Sequence, residues 1–394
     1  MNRLVLFLLV LGGAVAYLAA WPVPVQPVAW LPAPSAGYAG PHALNFGLEA
    51  LQPLPLDGDS GPEHVVVRAE DGRAWVWAAV TGSDNLSGRI VRMRPDGGGR
   101  EVVVDTGGRP LGFDFDATGA MIVADPMVGR HGGLLRVSGR GVAAKIELLT
   151  DQMDGEPIRY ANAVAVAADG RIYFSDSSRR FGAKATGSTF EASVLDILEQ
   201  QCSGRVGVYD PATKLARVIK QGLCFPNGVV LTEDGRHLLV AETGAHRIWK
   251  LGLSAGDGTA TAAAAVALAV AASAPSQLLL EGLPGYPDNL MRGQSGRYWV
   301  GLVKPRSAFA DSQAQRPWLR ALALRLPRSW WPVPPAYGHV VAFDESGKVV
   351  ADLQDDKGTY PETSGVTETV DRLYIHSLHA RSLGYRIKGP NELR

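Results

Sequence analysis

The sequence predicts an all-β fold, a six-bladed β-propeller, preceded by an N-terminal membrane anchor or signal segment. Three observations predict it. One apolar–turn–apolar unit recurs six times, it recurs at a blade-sized interval, and Glu, Asn, Asn and Asp hold the same address in four of the copies. The composition agrees. Gly (46) and Pro (26) are frequent enough for many short strands joined by turns. An apolar content of 46% supports a full core and excludes global disorder. Basic and acidic residues balance at 39 each, so no nucleic-acid partner is indicated.

Residues 1–21 read as an address. Arg3 precedes an uncharged run, 4–20, that meets the lower limit of about 17 residues for a membrane span. A positive charge ahead of it favours export with the C-terminus outside. Ala14-Val15-Ala16 offers a cleavage site, which would make the segment a signal peptide and the protein secreted. The apolar run instead continues through Tyr17 to Trp21, as an uncleaved anchor would. Residues 22–43, with Pro22, Pro24, Pro27, Pro32 and Pro34, read as a stiff spacer between membrane and domain.

Residues 44–390 carry the propeller. The repeated turns centre on Gly72, Gly119, Gly170, Gly235, Gly296 and Asp371, 47 to 75 residues apart, each followed by a β-branched or aromatic run. That period is a propeller blade with insertions of varied length, and six turns give six blades. A segment near 48–56 is expected to complete the last blade. Two insertions stand out. Residues 254–276 are Ala-rich and read as a surface excursion. The insertion at about 314–328 has helical periodicity over 316–328, with one apolar and one basic face, and Trp330 and Trp331 follow it. Such a helix packs on the propeller, caps the channel or touches the membrane.

The two cysteines, Cys202 and Cys224, match no zinc spacing. They flank a hairpin with strands at 205–209 and 215–220, which brings them within reach of each other. A disulfide is open to them in an oxidising compartment, and two separate buried thiols are the alternative.

Eight residues before Gly170, Gly235 and Gly296 stand Asn162, Asn227 and Asp288, and nine before Gly72 stands Glu63. The same address holds Leu111 in the second blade and Ser364 in the sixth. It is the start of each blade's first strand, the strand that lines a propeller's channel, so these residues converge at one end of the axis. Glu, Asn, Asn and Asp form an all-oxygen set with two charges, which suits Ca²⁺ better than Zn²⁺ or Mg²⁺, other divalent cations remaining open.

Gly61-Pro62-Glu63, residues 108–112, residues 173–178, Phe225-Pro226-Asn227-Gly228, residues 240–243 and Pro287-Asp288-Asn289 together resemble the strictosidine synthase-like family, within a wider group of gluconolactonases, diisopropyl fluorophosphatase and paraoxonases. The resemblance implies a six-bladed propeller over about residues 55–390. It implies a Ca²⁺-type ion on Glu63, Asn162, Asn227 and Asp288, with Asn289 a further contact. It also implies a late catalytic glutamate in metal-free condensing members, for which Glu368 stands in the comparable region. His376 and His379 depart from the family pattern and read as solvent-facing residues on an outer strand, with new pocket groups as the alternative. The resulting expectation is a metal-dependent hydrolase of a small-molecule ester or lactone, with Asp288 or Glu63 as catalytic carboxylate. No Gly-x-Ser-x-Gly elbow supports a serine esterase. The alternatives are a binding or scaffold propeller with a structural ion, and a condensing enzyme using Glu368. Leu111, Asn289, Ser364 and Glu368 are the further pocket candidates.

Overall fold

A computed structural model describes residues 2–35, 37–84, 86–253 and 276–389. The Ala-rich excursion at 254–276 lies, but for Ser276, outside the described residues. Six four-stranded antiparallel sheets follow one another along the chain. Blade 1 comprises Ser60–Glu70, Arg73–Thr81, Gly88–Met93 and Glu101–Asp105. Blade 2 runs from Phe113–Phe115 to Lys145–Thr150, blade 3 from Ala161–Val166 to Leu215–Leu223, and blade 4 from Pro226–Leu231 to Ser276–Leu280. Blade 5 runs from Gly285–Arg292 to Val349–Asp355. Blade 6 takes Thr363–Glu368, Arg372–Ser377 and Ser382–Ile387, and its fourth strand is Gln52–Pro55. Gln52 pairs with Tyr385 and Pro55 with Ser382, so the N-terminal side of the domain closes the ring as expected. At the first repeated turn, Asp71 and Gly72 both have positive φ, 50° and 71°, which matches a tight hairpin to the twist of its strands.

The core lies between blades. Trp77, Ile90 and Val103 of blade 1 interdigitate with Phe113, Val123 and Leu135 of blade 2. The seam at the ring closure is built the same way, with Leu54, Tyr374 and Leu383 against Val65, Val76 and Val91. First strands touch in turn from blade 2 to blade 6 and from blade 6 to blade 1 around the axis, so their starts share one end, called here the upper end.

Both long insertions link the second and third strands of a blade and so sit at the upper end. Blade 3 contributes helices Ala183–Thr186 and Thr189–Glu199. Blade 5 contributes Ala308–Ser312 and Pro317–Ala323, followed by a 3₁₀ turn, Arg328–Trp330. The helix expected over 316–328 is therefore shorter. Its middle arginine, Arg320, faces inward rather than forming a basic outer face, and is fully buried.

Arg320 shows why the Pro-rich stretch is not a free spacer. Its guanidinium donates to the carbonyls of Leu198 and Val28 and stacks on Trp30, 4.3 Å from the ring centroid. Val28 N donates to Glu199 O, and Arg306 donates to Ala33 O. The stretch is thus strapped across the upper insertions. Farther on, His42 and His339 share one oxygen of Asp352, at 2.7 and 2.8 Å. Asn45 and Gln354 donate to the other oxygen. With its acceptors filled by four donors, Asp352 acts as a clasp fastening the strap to blade 5.

The helix Arg3–Ala20 has a mean hydropathy of 2.2 over its apolar window and no buried residue. By length and composition it can cross a membrane.

Candidate functional site

Five of the six first strands begin with a bulge. Pairing with the second strand slips between Ser60 and His64, Ala161 and Val164, Pro226 and Val229, Pro287 and Leu290, and Thr363 and Gly365. Inside these slips stand Glu63, Asn162, Asn227, Asp288 and Ser364. A bulge takes a residue out of the ladder and re-aims its side chain. Gly228 supports this local path, since a Cβ there would lie 2.2 Å from Leu290 N and 2.6 Å from Asp288 O. Glycine alone lets blades 4 and 5 approach so closely beside Asn227 and Asp288.

The displaced backbone is tied to a neighbouring blade at four of these addresses. Ser175 and Ser177 donate to the carbonyls of Asn227 and Pro226, Thr243 to that of Pro287, and Gly112 N to that of Asn162. The Glu63 carbonyl accepts from both Ser364 Oγ (2.7 Å) and Asn289 Nδ2 (2.8 Å). These ties fix the side chains that project from the bulges.

Glu63, Asn162, Asn227 and Asp288 all line a cavity of about 560 Å³ at the upper end. All four are buried. Ser177 Oγ gives its proton to Pro226 O, so it must accept from Asn162 Nδ2, and this leaves Asn162 Oδ1 turned away from that contact. Asn162 Oδ1, Asn227 Oδ1 and Asp288 Oδ1 are buried without a hydrogen-bond partner. Leaving one such acceptor unpaired costs on the order of 1–3 kcal/mol. Three at one site, beside a second carboxylate, form the donor set that a hard divalent cation satisfies. Electrostatics agree. Burial, and then the charge of Glu63, push the Asp288 carboxyl well above the ordinary range, with the Asn227 hydrogen bond opposing. Burial raises Glu63 too, against Arg109 and His379. Arg109 Nη2 stands 3.9 Å from Glu63 Oε2.

The other pocket candidates fall elsewhere. Leu111 precedes the first strand of blade 2 and packs with Tyr160, Phe181 and Phe225 in an apolar cluster. Asn289 and Ser364 spend their polar groups on the Glu63 carbonyl and do not line the cavity. Glu368 lies at the far end of its strand, bound by Lys388 (2.8 Å), Arg297 (3.1 Å) and Trp299 Nε1 (2.8 Å). It too is outside the cavity, so the condensing role is not supported. His376 is buried, not solvent-facing. Its Nε2 meets Thr367 Oγ1 at 2.8 Å, and burial, then the neighbouring His64, hold it well below the ordinary histidine value. His379 does line the cavity, with Nδ1 hydrogen-bonded to Glu362. Burial pushes the Glu362 carboxyl up, but His379 and Lys304 outweigh it and leave it below the ordinary value. Glu362, Lys304 and Tyr160 escaped the sequence reading, and Arg109 entered it only within the family-like stretch 108–112. Glu362 and Arg109 each stand two residues before an address position.

Cys202 and Cys224 are disulfide-bonded, with Cα atoms 3.8 Å apart, pinning the upper insertion of blade 3 to the strand that carries Asn227.

Residues 162–255 match the Strictosidine synthase family, and residues 40–93 match Strictosidine synthase-like, N-terminal. Strictosidine synthase-like 10 of Arabidopsis thaliana is 33% identical over 352 residues, covering 84% of this chain and 86% of that protein. The adipocyte plasma membrane-associated protein of Danio rerio is 32% identical over 284 residues, 70% of this chain and 62% of its own length. Against Arabidopsis thaliana Strictosidine synthase-like 6 the match spans 57% of that protein. A Xanthomonas campestris gluconolactonase shares the fold, with a TM-score of 0.51 over 86% of this chain and 98% of its own, at 16% identity. With six blades, its ring-closing strand and these relatives, the chain belongs to the strictosidine synthase-like family of β-propellers.

Proposed function

We propose that the upper cavity is the active site of a divalent-cation-dependent hydrolase of esters or lactones, with Ca²⁺ held by Glu63, Asn162, Asn227 and Asp288. The observation that carries this reading is the set of three buried, unpartnered side-chain oxygens at one repeated blade address. When bound, the cation supplies a Lewis acid that polarises a substrate carbonyl and stabilises the oxyanion. The chain's own residues supply the rest. Asp288 or Glu63 serves as the carboxylate that activates water or attacks. Arg109 balances the charge at Glu63. His379, held through Nδ1 by Glu362, keeps Nε2 for proton transfer at the cavity wall. Tyr160, Phe225, Leu198 and Ile197 give the cavity apolar walls that orient a small organic substrate and exclude water.

Arg3 ahead of the apolar helix and the Cys202–Cys224 bond favour export, with the propeller outside the cytoplasm. It is either membrane-anchored or, if the helix is cleaved, secreted.

The test is a panel of aryl esters and lactones, assayed with and without chelator. Turnover should vanish on chelation, return with added Ca²⁺, and fall by about 10²-fold or more in Asp288→Ala. Turnover indifferent to chelator and to Asp288→Ala would overturn the reading.

A further inference from the structure

The apolar helix does not hang from the domain on a loose tether. Tyr17 OH donates to Arg325 O at 3.0 Å, and Arg325 Nε donates to Trp21 O at 2.7 Å. Immediately beyond, Val23 and Val25 pack into a cluster with Leu324, Trp331, Leu195, Leu198, Tyr160 and Phe225. Of these, Tyr160, Leu198 and Phe225 line the cavity. The end of the helix is therefore fastened to the roof of the site.

An 18-residue helix is about 27 Å long, close to the hydrocarbon thickness of about 30 Å. A helix of that length that crosses a bilayer puts its last turn, with Tyr17 and Trp21, at the lipid–water boundary, where Tyr and Trp partition. The fastening then brings the upper end of the propeller to the same boundary. The surface there is suited to it. Among the described residues from 52 onward, the exposed Phe and Trp side chains are Phe190, Trp318 and Trp330, at 44%, 64% and 68% exposure. All three belong to the upper insertions. Phe190 and the exposed Leu86 lie at the cavity itself, as does the cationic Arg328. From these contacts we infer that the upper face of the propeller rests on the lipid bilayer and that the cavity opens at the membrane interface, so that it receives molecules dissolved in the outer part of the bilayer. The occupant of this apolar face is lipid, because the helix able to cross the bilayer is fastened beside it. The inference does not depend on the cation or on hydrolysis.

The experiment uses the full chain in lipid nanodiscs, with a spin label at Phe190→Cys, Trp318→Cys or Trp330→Cys, and a control at Val370→Cys. Val370, 73% exposed, lies beside the first turn of blade 6 at the opposite end. Collisions with oxygen, which concentrates in lipid, and with a water-soluble nickel chelate are measured at each site. The expected result is an oxygen-to-nickel ratio several-fold higher at 190, 318 and 330 than at 370. Nickel access at the upper sites equal to that at 370 would show the face in water and overturn the inference. Low access to both quenchers would show the face covered by protein, such as a second copy, and would overturn it too. Three independent upper positions keep the test decisive if one variant fails to fold, and chelator-sensitive turnover of the same samples reports separately on the proposed chemistry.

Discussion

Ser364 Oγ donates a 2.7 Å hydrogen bond to the carbonyl oxygen of Glu63, joining the last blade to the first at the edge of the cavity. Asn289, from blade 5, donates to the same oxygen. A proposed ligand is thus positioned by two residues that do not themselves reach the cavity. Ser364→Ala should cost about 1 kcal/mol of stability, since Asn289 still pairs the carbonyl. It should also weaken cation binding while leaving the number of sites unchanged. Calorimetric titration with Ca²⁺, alongside denaturant unfolding, reads both effects.

The proposed ligand set carries a stability cost in the absence of an ion. Glu63 and Asp288 repel each other in a buried setting, with Arg109 beside Glu63. Asp288→Asn removes one charge, so the chelated protein should melt higher than the chelated wild type. The rise in melting temperature on adding Ca²⁺ should shrink, with affinity about tenfold or more weaker. Parallel melts with chelator and with Ca²⁺ check the reversal of order.

Gly228→Ala places a methyl group against the backbone of Leu290 and Asp288, which cannot yield as a side chain can. The expected loss is about 1–3 kcal/mol, seen as a lower denaturant midpoint at unchanged slope. Because the strain falls between Asn227 and Asp288, cation affinity should drop as well.

Asp196 gives a pH dependence remote from the proposed ligands. Burial, and then the charge of Glu199, raise its carboxyl to about 7, against hydrogen bonds from Ser178 and Ser203. A folded-state value above the unfolded one means a contribution that is complete below the ordinary carboxylate value of about 4 and is lost as pH rises through about 7. The melting temperature should therefore fall from about pH 4 to about pH 7 and level off above that. Asp196→Asn should flatten that slope, as differential scanning fluorimetry across the range would show.

Reduction of Cys202–Cys224 releases a loop with a sequence separation of 22 and should cost about 3 kcal/mol. The double variant Cys202→Ser, Cys224→Ser should show that loss without reductant.

The repeat made the blades legible, because each turn needs the same few residues and each strand the same alternation. The four address positions were legible for the same reason. A shared place in a repeated unit is a shared place around the axis. Glu362 and Lys304 were not, and His379 was named without its place in the cavity, since all three reach it from strand ends and loops whose lengths differ from blade to blade. Asn289 and Ser364 looked like cavity groups because the sequence shows which residues sit near the rim but not which way a bulge turns each of them. The Pro-rich stretch read as a spacer because its partners, Arg320 and Glu199, are far away in the chain.

The strand that completes blade 6 is among the first parts of the domain to be synthesised, yet its partner, Ser382–Ile387, is among the last. During synthesis Gln52–Pro55 must wait, unpaired, until nearly the whole chain has emerged, and the ring cannot lock before then. A chain truncated anywhere before blade 6 would therefore leave two open edges rather than a smaller finished domain.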